Sequence, residues 1–216
     1  MAAAALVLGW PGAAGAATGW VRQPVPLPPG AMFGMTTAVS CPTAASCTAV
    51  GFSNNLVHGN RHLLAEQWAG GAWTVQPAAR PAGFTSGVLA GVSCVSPTRC
   101  MAVGGYGNGT TGASPPLAET WNGTTWTVRH APPHPGGSAD DLNGISCTSA
   151  ASCTAVGGGL AEVRGGSRWA VQQTASPAGY NLFESVSCVA ARTCTAVGDG
   201  SASASAHQAL PLAEHE

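Results

Sequence analysis

Four glutamates, Glu66, Glu119, Glu162 and Glu214, follow Leu-Ala in a chain that has only nine acidic residues. A recurrent carboxylate can act as a general acid or base, ligate a cation, or accept hydrogen bonds in a core. Glycoside hydrolysis needs two carboxyl groups roughly 5 to 9.5 Å apart in unlike environments, and four equivalent residues offer no such asymmetry. In an extended Leu117-Ala118-Glu119-Thr120-Trp121 segment, Leu117, Glu119 and Trp121 share a face. The expected role is therefore structural, each Glu pinning adjacent strands or units. The alternative is a ring of carboxylates around a central channel.

Other chemistry-bearing types are sparse. His58 with His62, and His130 with His134, have the spacing of two metal ligands on a helix, but Gly59 and Pro132-Pro133 break both segments out of helix, so these are expected to be loop histidines. Asp140 and Asp141 fall in a Gly-Ser-rich loop and are expected in a solvated turn. No nucleophile elbow, phosphate loop or H-E-x-x-H sequence occurs. No catalytic residue, metal or cofactor is therefore assigned. Trp68 and Trp121 can fill space between neighbouring units or, if exposed, stack on sugar rings.

The eight cysteines reveal how these residues are organised. Four segments, starting at Cys41, Cys94, Cys147 and Cys188, share the pattern S-C-x5-C-x-A-V-G, and each is followed by Leu-Ala-Glu; in the first three copies a further Trp follows (Trp73, Trp126, Trp169). The first cysteines are separated by 53, 53 and 41 residues (41 to 94, 94 to 147, 147 to 188). Within this repeat the sensible pairing is Cys41 with Cys47, Cys94 with Cys100, Cys147 with Cys153, and Cys188 with Cys194. Each short bridge should contribute roughly 2 kcal/mol by constraining the unfolded chain. Zinc knuckles and dithiol redox sites favour C-x2-C, which the five-residue gap does not match. Bridges of this kind imply an oxidising, extracytoplasmic compartment.

Each repeat parses into four short strands. The first ends at Ser-Cys, the second starts at the trailing Cys, the third is Leu-Ala-Glu-x-Trp, and the fourth starts at the second Trp. Asn122-Gly123 supplies a tight hairpin turn between strands three and four. Four strands in about 50 residues is a blade of kelch-like length. The expected fold is all-β, a β-propeller of four-stranded antiparallel blades, either closed with four blades or an arc of a larger ring. The units are residues 31–80, 81–134, 135–177 and 178–216. Trp20 lies 53 residues before Trp73, so residues 20–26 match a fourth strand that could complete the last blade. Residues 1–19 read as a shortened export signal or the end of a preceding repeat.

Composition agrees. Charged residues are 8% of the chain, with 30 Gly and 16 Pro, which suits short strands and turns better than amphipathic helices. A net charge of −1 gives no basic field for nucleic acid or anionic lipid, and no apolar run is long enough to span a membrane.

The combined pattern, S-C-x5-C-x-A-V-G followed by L-A-E-x-W-N-G-x-x-W, resembles the repeat of secreted propeller-like proteins of high-GC bacteria. That resemblance implies a propeller and brings no catalytic residues. Gly123-Thr124-Thr125-Trp126 and Gly166-Ser167-Arg168-Trp169 are also similar to the tail of the Asp-box hairpin of sialidase-like propellers. Trp121 and Arg164 stand where that motif has Asp, so only the hairpin carries over. The expected function is a non-enzymatic, secreted binding or scaffold module for a protein or glycan ligand, read by the unequal segments 52–62, 105–116 and 199–209. A carbohydrate-binding lectin is the second reading and a sialidase-like hydrolase the third.

Overall fold

The computed structural model describes residues 19–55, 59–129, 131–132, 141–158, 161–172, 174, 181–201 and 210–216. Its strands form four antiparallel sheets in chain order. The first unit comprises β1 (Phe33–Thr43), β2 (Ser46–Asn54), β3 (His62–Ala69) and β4 (Ala72–Gln76). The second comprises β5 (Phe84–Ser96), β6 (Arg99–Asn108), β7 (Pro116–Trp121) and β8 (Trp126–Arg129). The third comprises β9 (Leu142–Ser149), β10 (Ser152–Gly157), β11 (Ala161–Gly165) and β12 (Arg168–Gln172). In the fourth, β13 (Asn181–Ala190), β14 (Thr193–Gly200) and β15 (Leu210–His215) make a three-stranded sheet. Every strand pairs with its sequence neighbour, as short hairpin connections favour.

The cysteines bridge within each unit as the repeat predicts, closing the hairpin between the first and second strands. The rest of the motif is explained by a β-bulge. In the first, second and fourth units the first strand carries an extra residue three positions before the Ser, namely Thr37, Ala90 and Glu184, and the register of β9 shifts beside Asn143 at the matching place. The shift brings the carbonyls of Met35, Val88, Asp141 and Leu182 over Gly51, Gly104, Gly157 and Gly198, nearer than any Cβ could tolerate. The Gly of Ala-Val-Gly is thus required by the bulge in the partner strand.

Strand alternation gives each sheet two faces. One carries the motif Val and the Ala of Leu-Ala-Glu; the other carries the second Cys, the motif Ala and the Glu. The first face packs forward onto the second face of the following unit. Val50, Leu63 and Ala65 meet Leu89, Val92, Cys100 and Ala102. Met101, Val103 and Ala118 meet Leu142, Ile145, Cys153 and Ala155. Val156 and Ala161 meet Phe183, Val186 and Cys194. A polar latch repeats alongside. The N–H of Cys94 donates to Ser40 Oγ at 2.9 Å, that of Cys147 to Ser93 Oγ at 3.0 Å, and that of Cys188 to Ser146 Oγ at 3.1 Å. The Ser-Cys dipeptide therefore serves two units, bridging its own hairpin and holding the neighbour.

The first strands pack side by side, β1 on β5, β5 on β9 and β9 on β13. Together they line a hollow of about 480 Å³. No strand pairing joins the fourth sheet to the first among the described residues. The two end faces are uncovered at the positions that are covered inside. Val39 is 60% exposed where Val92, Ile145 and Val186 are buried, and Val197 is 45% exposed where Val50, Val103 and Val156 are buried.

The expected fourth strand from residues 20–26 is not formed. Residues 20–28 carry no strand, and Gln23 to Pro26 border a cavity with Trp68 and Trp73 of the first unit. Pro24, Pro26 and Pro28 supply no amide donors at alternate positions, which denies this stretch a continuous ladder. It takes instead the place that residues 77–81, its equivalents 53 positions on, take before the second unit. Residues 1–18 lie outside the described residues.

Gly104→Ala should lower stability by about 1–3 kcal/mol or more, since backbone must move, whereas Gly165→Ala, with open space around it, should be neutral or slightly stabilising. Urea midpoints of the two variants would check this, and equal midpoints would contradict the bulge explanation.

Candidate functional site

Each recurrent Glu lies on a third strand, opposite the motif Ala; in the second to fourth units this is the face that packs on the preceding unit, and no sheet precedes Glu66 among the described residues. Glu66, Glu119 and Glu162 are completely buried, while Glu214, on the outermost strand of the three-stranded sheet, is half-buried. None of them lines the hollow, which belongs to the first strands, so the carboxylate ring around a channel is not formed. What Glu119 does instead is visible: its Oε2 accepts the N–H of Ala79 at 3.1 Å. Ala79 lies in the connection from the first unit to the second, so the carboxyl holds that connection against the sheet.

Burial raises the Glu119 carboxyl to about 7, with the Ala79 N–H opposing the shift, and burial alone raises Glu66 to about 7. Carboxyl groups in these places spend much of the neutral range protonated. Both side chains are fully buried, Glu119 on the face of the second unit that meets the first.

The hollow displays a different set. Thr37, Asn143 and Glu184 stand at equivalent bulge positions and border it. The Thr37 hydroxyl donates to the Leu89 carbonyl at 2.6 Å, and the Asn143 side-chain amide donates to the Phe183 carbonyl at 3.0 Å. Each thus ties its unit to the corresponding carbonyl of the next. Gly91 and Gly144 let the strands approach there, since a Cβ on Gly144 would press on the Ser185 backbone. Among the described residues bordering the hollow, Glu184 is the one carboxylate.

Of the two tryptophans considered for ligand stacking, Trp121 is only 5% exposed. It packs at 5.5 Å from Trp126 within the core between the first and second units, so its face is not offered to a sugar. Trp68 is half-buried, 5.8 Å from Trp73. His58, His130, His134 and Asp140 lie outside the described residues; Asp141 is exposed, and His62 is half-buried at the start of β3. Among the described residues no group of three or more His, Cys, Asp or Glu could hold a metal ion.

Three arginines that sequence reasoning left scattered are brought together. Arg99, Arg129 and Arg164 line one cleft between the second and third units, at the end that carries the disulfides. Arg99 and Arg129 lie on the forward face of the second unit, and Arg164 on the opposing face of the third, as their partners Ala118 for Arg129 and Cys153 for Arg164 dictate. Arg129 Nε donates to Thr120 Oγ1 at 2.9 Å, and Arg164 Nη1 donates to the Ala150 carbonyl. Burial, then the neighbouring Arg129 charge, pushes the Arg164 guanidinium below its ordinary value. The available sequence signal was the repeat itself, for Arg164 stands where Trp68 and Trp121 stand in the first two copies.

Neither a protein-family model nor a curated protein matches the chain. The site's meaning therefore rests on its own residues.

Stability should fall as pH rises from about 4.5 to about 7 and then level off. Over that range the unfolded chain ionises Glu66 and Glu119 while the folded chain keeps them protonated. The Glu119 share is on the order of 3 kcal/mol, and Glu119→Gln should remove it. Urea denaturation at pH 5 and pH 8 measures the effect; a variant with the same pH dependence as wild type would contradict this origin.

Proposed function

We propose that this chain is a secreted, non-enzymatic binding or scaffold module built as a β-propeller arc, with a protein or glycan ligand held on loops at one rim. The observation that carries the reading is the contrast between constant and variable parts. All three unit-to-unit contacts use the same apolar face and the same Ser-to-Cys latch. The connections after the second strand of each unit, residues 55–61, 109–115, 158–160 and 201–209, differ in length and sequence. They emerge at the end opposite the disulfides. A rigid frame presenting unequal loops is a binding design.

The described loop, 109–115, is ordered from within. Asn108 Oδ1 accepts the N–H groups of Thr110 at 2.9 Å and Thr111 at 3.2 Å, and the Asn108 carbonyl accepts from Gly112 at 2.7 Å. An exposed, pre-shaped polar loop loses little freedom when a ligand docks. Four local disulfides support an oxidising compartment. The side-by-side first strands around a hollow support the propeller, and the uncovered faces at Val39 and Val197 support an arc. The hydrolase reading ranks last because three of the four recurrent carboxyls are fully buried.

Two measurements test this. On arrays of glycans and extracellular proteins, wild type should bind a ligand that is lost when residues 110–113 are replaced by a Gly-Ser linker. With fluorogenic glycosides, wild type should show no turnover above the Glu119→Gln variant; turnover abolished by that substitution would replace binding with catalysis. For the arc, Val103→Ala should cost between about 0.5 and 3 kcal/mol and Val197→Ala under about 0.5 kcal/mol. Equal costs would indicate that the face at Val197 is covered in solution.

A further inference from the structure

The first two units show what fills the space between neighbours at the disulfide end: Trp121 on the second unit, backed by Trp126 and packed among the connection residues Ala78 and Ala79. At the next contact the corresponding residue is Arg164, and an open cleft of about 130 Å³ stands there. This is not the only departure from the repeat at that contact. The residue before the second Cys is Ser46, Ser152 and Thr193 in three units and Arg99 in the second. The third residue after the second Trp is Gln76 and Gln172 in two units and Arg129 in the second.

Three separate positions have thus become arginine, in a chain with eight arginines and no lysine. Strand alternation and the forward packing of units bring all three to a single cleft. A structural cause would supply counter-charges, yet no Asp or Glu is among the described residues lining it. The guanidinium of Arg164 retains a buried Nε without a hydrogen-bond partner. Arg99 and Arg129 are exposed and Arg164 is half-buried; guanidinium ions grouped in this way repel one another, an anion between them relieves that repulsion, and their planar donor forks match an oxyanion.

We propose that the cleft between the second and third units binds a single oxyanion group, carboxylate or sulfate, of a small extracellular ligand through Arg99, Arg129 and Arg164. The inference rests on the binding-module reading and adds a second site, at the rim opposite the variable loops. Size limits what enters. The cleft, about 130 Å³ and open to solvent, has room for one such group with a few waters, the rest of the ligand lying outside it. Thr120, Asn122 and Ser149 line the same cleft and can meet hydroxyl groups attached to the anion.

The test uses the full chain and variants that restore the repeat's own residues, which suit the surrounding sheets: Arg164→Trp, Arg129→Gln and Arg99→Ser. Titrations followed by backbone amide NMR would use glucuronate, glucose 6-sulfate, free sulfate and neutral methyl glucoside. The expected result is saturable one-site binding of glucuronate or glucose 6-sulfate, with shifts at residues 120–122 and 149–153, and none with methyl glucoside. Each restoring substitution should weaken binding about tenfold or more, as loss of a charge-assisted contact does. Binding of free sulfate as tight as that of the sugar acids would assign the site to the ion alone; tighter binding of the sugars would assign it to acidic sugars. Absence of binding by every charged probe, or equal binding by the Arg164→Trp variant, overturns the proposal. Ligand capture by the 110–113 loop is measured separately, so either reading can fail while the other stands.

Discussion

Burial of the Ala-Val-Gly strand between two neighbouring sheets is the contact on which the rest of this molecule depends. A four-stranded antiparallel sheet that is apolar on both faces has nowhere to place them in water, and each unit here is too thin to enclose a core. Stacking solves the problem once per junction. Val50, Val103 and Val156 vanish into the following unit, while Val197, with no unit after it in the chain described, remains in solvent. The same constraint accounts for the motif Gly, because the bulged first strand lays a carbonyl against it. Bulge, Gly and forward packing are one device. It sets where the hollow forms and lets Thr37 and Asn143 reach the neighbouring carbonyls.

Polar groups are used sparingly, and nearly all of those described at the junctions hold one unit to the next. The serine before the first Cys of each of the first three units accepts from its neighbour's backbone. The carboxyl of Glu119 reaches the connection that enters its unit. A fully buried carboxyl with few donors is more stable protonated, so Glu119 secures its connection at the cost of sensitivity to pH. A residue with that duty recurs for architectural reasons, and its recurrence alone is a poor guide to catalysis.

Function is better sought where the repeat is broken. The second strands end, and the variable connections begin, at the end opposite the disulfides, while the arginine replacements meet at the disulfide end. At the junction of the first and second units a tryptophan closes the gap; at the second and third an arginine leaves it open and charged. The difference arises from three positions, Arg99, Arg129 and Arg164, in an otherwise constant frame.

The sequence by itself determined the unit, its strands and its four bridges. Cysteine spacing, alternation and turn residues act over fewer than about ten residues, and such local signals survive without knowledge of the fold. For the repeated glutamates it favoured a structural role over a channel ring, since an apolar face gives a carboxylate little else to do. Three things were settled only by tertiary structure. Trp121 was left between core and ligand surface, and only the seating of the second unit on the first buried it. The match at Trp20 promised a closing strand, yet alignment to a strand does not provide an edge to pair with, and the segment lies on the first unit instead. Arg99, Arg129 and Arg164 are far apart in the chain and become neighbours because each unit packs forward onto the next. Which face meets which is a property of the stack, and no spacing within a single repeat encodes it.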